Sequence, residues 1–187
     1  MLKTMIPVYH ADSKKRNDDF INDKVQLLSS VEDGYWCGSG MYFWDNISNA
    51  LYWLERVKKI KGGNSSICLA SLQYSKDECL DLTDETEANQ LLEYAEAFLD
   101  KLSPSERPRL NKKKPGAIVN FVFNSLKEAG LPVFKVVKVA GLYSGKSNVL
   151  FHEWYQGPHV TSRSKTIYSV RNSELLSDKR EVGDNEF

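Results

Sequence analysis

Apolar residues along this chain recur at two spacings, and the switches between them predict its elements. Residues 4–9, TMIPVY, read as a short strand ending at His10. Ser13 then stands where a cap belongs, and Phe20, Ile21, Val25, Leu27 and Leu28 predict a helix over 14–29 with an imperfect apolar face. Residues 31–40 form a loop in which glycines and bulky aromatics mix, and Met41-Tyr42-Phe43-Trp44 is a short extended segment. Asp45 or Asn46 caps the next helix, whose apolar face is Ile47, Ala50, Leu51, Leu54 and Val57, and Gly62-Gly63 ends it. SICLASLQY (66–74) is a strand and residues 78–82 a shorter one. From Thr83 or Asp84 a clean three-and-four spacing (Ala88, Leu91, Leu92, Ala95, Phe98, Leu99, Leu102) predicts a helix. After a basic, proline-containing connection at 103–116 come a buried helix over 117–130, a β-branched strand over 132–141 and another strand over 166–172.

Helices and strands that neither alternate regularly nor separate into blocks point to the α+β class, with small antiparallel or mixed sheets surrounded by helices. The expected organisation is one domain over 1–176 with a helical insertion at about 84–130. Residues 177–187 are charged and carry one bulky apolar side chain, the composition of a disordered tail.

Charge narrows the function classes. Twenty-five basic and twenty-five acidic residues cancel, so no global field draws in a polyanion, and the short runs Lys14-Lys15-Arg16, Lys58-Lys59 and Lys112-Lys113-Lys114 read as solvated surface. Three cysteines without regular spacing, Cys37, Cys68 and Cys79, fit neither a disulfide framework nor a CxxC zinc site. The opening MLKTMIPVYH turns polar too early for a signal peptide, and no apolar stretch approaches a membrane span, so a cytoplasmic location is expected.

The chemistry concentrates in two places. One is Val8-Tyr9-His10-Ala11-Asp12-Ser13, with a histidine at the end of a strand. The other is Gly38-Ser39-Gly40-Met41-Tyr42-Phe43-Trp44-Asp45, followed by Asn49-Ala50-Leu51-Tyr52 on a helix. Two glycines one residue apart let a backbone approach a ligand closely. Tyr42 and Tyr52, on either side of a helix start, are placed to sandwich a flat heteroaromatic ring. His152 and His159 flank Glu153, but their spacing across Gly157-Pro158 matches no metal motif, and no metal is expected. Ala140-Gly141-Leu142-Tyr143-Ser144-Gly145-Lys146-Ser147 mimics a phosphate-binding loop, yet the long helix and parallel strands that such a fold requires do not follow.

Taken together, Tyr9-His10-Ala11-Asp12-Ser13 and the Gly38-to-Tyr52 run resemble the ADP-ribosyltransferase superfamily, in its His-Tyr-Glu or His-Tyr-Gln branch of poly(ADP-ribose) polymerase-like and small bacterial or phage enzymes. The resemblance implies an NAD cleft between split sheets. It assigns His10 to the adenosine ribose, the Ala11 backbone to the nicotinamide carboxamide, and Tyr42 and Tyr52 to the nicotinamide ring, with Ser13, Gly38, Gly40, Phe43 and Asn49 contributing to cofactor binding. It implies transfer of ADP-ribose from NAD to a macromolecular acceptor with release of nicotinamide. Neutral net charge favours a protein acceptor over nucleic acid. Families of this kind include toxins and phage effectors, so a cognate antitoxin is a further implied partner.

The third signature residue, a Glu or Gln near the start of a late strand, falls at Ile167. Glu153 is the catalytic carboxylate assigned in its place, with Gln156 a weaker choice. Two other readings stand beside the transferase. One is an NAD-binding relative that has lost turnover; the other is an interaction protein whose aromatic segment 35–54 is core or interface.

Overall fold

The computed structural model describes residues 2–30, 36–61, 63–108, 110, 114–143 and 164–186. Its backbone is the strand β1 (Lys3–Ser13), which pairs antiparallel with β3 (Ser65–Ser75) along its whole length, from Lys3↔Ser75 to Ser13↔Ser65. Both strands bury residues on both faces. Val8, Cys68, Ala70 and Leu72 point into one core, and Ala11 and Ile67 into the other, as the period-two geometry of a covered strand requires.

Five further strands extend this pair: β2 (Met41–Trp44), β4 (Cys79–Asp81), β5 (Val136–Leu142), β6 (Ser164–Val170) and β7 (Leu176–Glu181). Together they form a seven-stranded mixed sheet in the order β4-β5-β6-β2-β1-β3-β7. Only β4 and β5 are parallel. Parallel neighbours need a crossover, and α3 (Glu85–Asp100) and α4 (Pro115–Glu128) supply it. The segment 84–130 thus connects two strands of the sheet. Asp84 caps α3 by accepting from the N–H groups of Thr86 and Glu87, and Pro115 occupies the first turn of α4, where no N–H partner is needed.

On one face of the sheet, α1 (Lys14–Ile21) buries Phe20 against Val8, Phe43, Tyr168 and Val170. On the other, α2 (Ile47–Lys61) contributes Ala50 and Leu54, and α4 contributes Val119, Val122 and Phe123, to a core shared with Trp44, Val137, Val139 and Ile167. The helix predicted over 14–29 stops at Ile21. Asp23 turns the chain with φ +56°, a conformation Asp tolerates better than most residues, and Leu28 reaches the core from outside any helix. The charged end is corrected as well. Leu176–Glu181 is an edge strand on β3 rather than part of a disordered tail, anchored by buried Leu176 and Val182.

The two halves of the sheet, β4-β5-β6-β2 and β1-β3-β7, join through one Cα pair, Tyr9↔Trp44. Beyond that pair β1 and β2 separate, and the functional residues gather there.

Candidate functional site

A cavity of about 430 Å3 opens where β1 leaves β2, lined by His10, Ala11 and Asp12 from one strand and Tyr42 and Trp44 from the other. Its volume lies within the range of small-molecule sites. His10 Nδ1 lies 2.6 Å from the carbonyl oxygen of Tyr42. A carbonyl only accepts, so Nδ1 carries the proton in this contact and the ring spans the gap between the strands. His10 Nε2 is buried without a hydrogen-bond partner and lies 3.8 Å from a carboxylate oxygen of Asp12. Asp12 is itself buried; it accepts from the Ser13 N–H at 2.6 Å and faces the Arg16 guanidinium, whose Nε is 3.3 Å away.

The opposite wall is aromatic. Trp36, Tyr42, Trp44, Trp53 and Tyr143 all line the cavity. Trp36 stacks on Tyr143 with ring centroids 5.5 Å apart and an interplanar angle of 7°, and Trp44 tilts against both Trp53 and Tyr143 at 6.0 and 6.1 Å. Burial pushes the Tyr143 hydroxyl up to about 12, so it stays a neutral donor at any physiological pH. Cations cover the outer rim: Arg56 lies over Trp53, and Lys165 over Tyr52 and Tyr143.

The Gly-Ser-Gly segment serves this wall in a way the spacing did not predict. Gly38 and Gly40 adopt φ +73° and +144°, and a Cβ at either would collide with protein atoms: Asn120 and Arg171 at Gly38, Ser169 and Val170 at Gly40. The close approach these glycines permit is therefore to the chain's own α4 and β6. Asn120 is the keystone. Its Oδ1 accepts from the Ser39 N–H at 2.7 Å and from Arg171 Nη2 at 3.1 Å. Arg171 also donates to the Cys37 carbonyl at 3.3 Å and lies over the Phe123 ring at 4.3 Å. Burial depresses its guanidinium to about 10, still fully charged at neutral pH. The Tyr42 hydroxyl donates to the Gly38 carbonyl, which ties the cavity wall to this brace.

Of the residues singled out from the sequence, His10, Ala11 and Tyr42 meet at the cavity. Tyr52 is not among the residues that line the cavity; it is 40% exposed and meets Tyr143, which does line it, edge-on at 5.6 Å. Phe43 is fully buried in the core on the α1 side, because its neighbour Tyr42 takes the cavity side and adjacent strand residues face opposite ways. Asn49 is buried in a polar link, donating to Asp45 at 2.7 Å and accepting from Lys165 at 2.6 Å. Ser13 precedes α1 without a side-chain cap bond. Glu153, Gln156, His152 and His159 lie outside the described residues. Ile167 lines the cavity itself.

Trp36, Trp53, Tyr143, Asp12 and Arg16 were not assigned to the site from the sequence. The aromatic density of 35–54 hinted at the tryptophans, but Tyr143 arrives only through the β5–β6 pairing, which no local pattern shows. Of the phosphate-loop mimic, residues 144–147 lie outside the described residues; Gly141 sits inside β5, and its missing side chain makes room for the Trp36 indole. Among the described residues no group of three or more His, Cys, Asp or Glu side chains is placed to hold a metal ion, and no helix is long and apolar enough to cross a membrane. A larger hollow, about 510 Å3, lies between α3, α4 and β4. Its walls are Leu80, Leu91, Val122, Phe123 and Leu126, and its Lys76 and Glu87 pair with each other at 3.6 Å. Asp77 and Gln90 line it too, and among the described residues none of its polar side-chain atoms is buried without a hydrogen-bond partner as His10 Nε2 is. No protein-family model, no curated protein and no solved structure matches this chain.

Proposed function

We propose that the cavity between β1 and β2 binds NAD and that the chain transfers ADP-ribose from it to a macromolecular acceptor, releasing nicotinamide. The observation that carries this reading is the position of His10: a strand-end imidazole lines a cavity whose far wall is aromatic, with its Nδ1 engaged by the Tyr42 carbonyl and its Nε2 buried without a hydrogen-bond partner. A nucleotide with a flat ring at one end and ribose hydroxyls further along suits both features. Nδ1 donates to the Tyr42 carbonyl, which leaves Nε2 as the ring nitrogen for a ribose hydroxyl. The nicotinamide ring would pack against Tyr42 and the tryptophan-lined wall, gaining offset stacking, while the Ala11 backbone offers the carboxamide a donor and an acceptor.

Breaking the nicotinamide–ribose bond builds positive charge on the ribose. A water-poor pocket that fixes both ends of the dinucleotide holds the bond ready for cleavage. Neutral net charge favours a protein as the acceptor.

One observation favours a second reading. Ile167, where the resemblance calls for Glu or Gln, faces the cavity and offers no charge, as expected of a relative that binds NAD without turning it over. Incubation of the purified chain with NAD separates the two. Nicotinamide release that is lost in His10→Ala supports the transferase; an NAD-dependent rise in Tm without release supports the binding module; neither signal removes both.

A further inference from the structure

Asp12 is the one acidic side chain among the described residues that line the cavity, and it is 6% exposed. It sits on the strand that carries His10, two residues on and on the same face, with Oδ2 3.8 Å from His10 Nε2. Two of its partners are those of an anion: the Ser13 N–H at 2.6 Å and the Arg16 guanidinium at 3.3 Å. These contacts fix the carboxylate against rotation, which is what a preorganised electrostatic group needs. Across the cavity, the β6 position expected to carry the carboxylate is Ile167.

We propose that Asp12 is the catalytic carboxylate of this cleft, so that the negative charge is delivered from β1 beside the histidine instead of from β6. The proposal rests on NAD being the ligand. In the reaction the glycosidic C–N bond breaks and its electron pair leaves on the pyridine nitrogen, so nicotinamide departs neutral. The electron-poor ribosyl carbon faces the Asp12 carboxylate, whose charge is worth far more in a desolvated cavity than in water. An acceptor O–H or N–H then bonds to that carbon, and the proton it loses passes to Asp12. Arg16, on the outer side of the carboxylate, holds it in place between turnovers.

The test uses the full chain and water as acceptor, measuring nicotinamide release and, separately, NAD binding by calorimetry. Asp12→Asn keeps the shape of the side chain and its bond from the Ser13 N–H. It should lower kcat by about 100-fold or more, the scale of a lost acid–base or electrostatic group, while the NAD Kd changes by less than about threefold. Adding Ile167→Glu to Asp12→Asn should restore part of the lost turnover by returning a carboxylate to the opposite wall. Asp12→Glu, which preserves the charge, covers the case in which Asp12→Asn fails to fold and should retain measurable release. Wild-type turnover in Asp12→Asn overturns the role of Asp12 and leaves the NAD reading intact. Equal losses in NAD binding and turnover also overturn it, by making Asp12 a binding group. A wild-type chain that neither binds NAD nor releases nicotinamide removes the NAD reading itself, and this role with it.

Discussion

His10 and Tyr42 are tied across the seam of the sheet: the imidazole Nδ1 meets the Tyr42 carbonyl at 2.6 Å, one residue past Tyr9↔Trp44, the one strand pair between the two halves among the described residues. The same ring therefore lines the root of the cleft, with its second nitrogen buried and without a hydrogen-bond partner. His10→Ala should cost about 1–2 kcal/mol in urea unfolding, a net hydrogen bond plus an acceptor left dry, and should abolish any NAD-induced rise in Tm. Stability and NAD response both at wild-type levels would show that the tie does neither job.

Asn120 holds two donors with one oxygen, the Ser39 N–H and Arg171 Nη2. Asn120→Ala leaves both without that acceptor while Arg171 remains partly buried, so a loss of about 1–3 kcal/mol is expected. Because the Tyr42 hydroxyl hangs from Gly38 in the same brace, NAD affinity should fall too, although Asn120 is not part of the cavity lining. Calorimetry on a variant that remains folded reads this directly.

Gly40→Ala should destabilise the chain by about 1–3 kcal/mol, since φ +144° is a glycine conformation and the added methyl meets the Ser169 side chain and the Val170 carbonyl. Gly63→Ala is the control, because a Cβ there meets nothing within 4 Å, and it should be neutral or slightly stabilising. Equal midpoints for the two variants in thermal unfolding would contradict the packing described for Gly40.

How much of this was visible in the sequence depends on the range of the interaction concerned. The α3 helix was legible because its apolar spacing and its Asp84 cap are local, and so was β3, whose apolar run is continuous. The stop of α1 at Ile21 was not, since Val25 and Leu28 continue a helical spacing that Asp23 interrupts by adopting a left-handed turn. β7 was hidden by its charge. An edge strand exposes most of its side chains, and Leu176 with the following Val182 suffices to dock it. His10, Ala11 and Tyr42 were singled out through the motif resemblance and do line one cavity, whereas Asp12 stood inside the same motif and was given no role of its own. Tyr52 was singled out because it stands across a helix start from Tyr42, whereas Tyr143, at the end of β5, drew no such attention and lines the cavity.

Strong acid should weaken the β4–β5 edge. Lys135 donates to Glu78 at 2.6 Å, and this bond, with those from Ser75, holds the Glu78 carboxyl down at about 2 against an ordinary value of 4.5. The folded value lies below the unfolded one, so the contribution to stability is fully present above about pH 4.5 and is lost as the pH falls towards 2. In urea unfolding Glu78→Gln should therefore be less stable than wild type at pH 7, and the difference should shrink steadily through that window. A difference that stays constant down to pH 2.5 would mean the ion pair contributes nothing that titrates.

The aromatic wall gives the sharpest contrast between what spacing suggested and what the fold assembles. Tyr52 is 40% exposed and stands outside the cavity lining, so Tyr52→Ala should change the NAD Kd by no more than about twofold. Tyr143 lies flat against Trp36 and contacts Trp44, both of which line the cavity with it. Tyr143→Ala removes a ring worth about 0.5–1.5 kcal/mol of stacking beyond its buried area and frees the Trp36 indole to move. A loss of about tenfold in NAD affinity is expected, with nicotinamide alone losing a similar factor, because the deficit lies at the ring end of the ligand. Titration calorimetry of both variants against NAD and nicotinamide decides it. Should Tyr52→Ala prove the more damaging of the two, the ring of the ligand rests outside this cavity, on the rim that Lys165 covers.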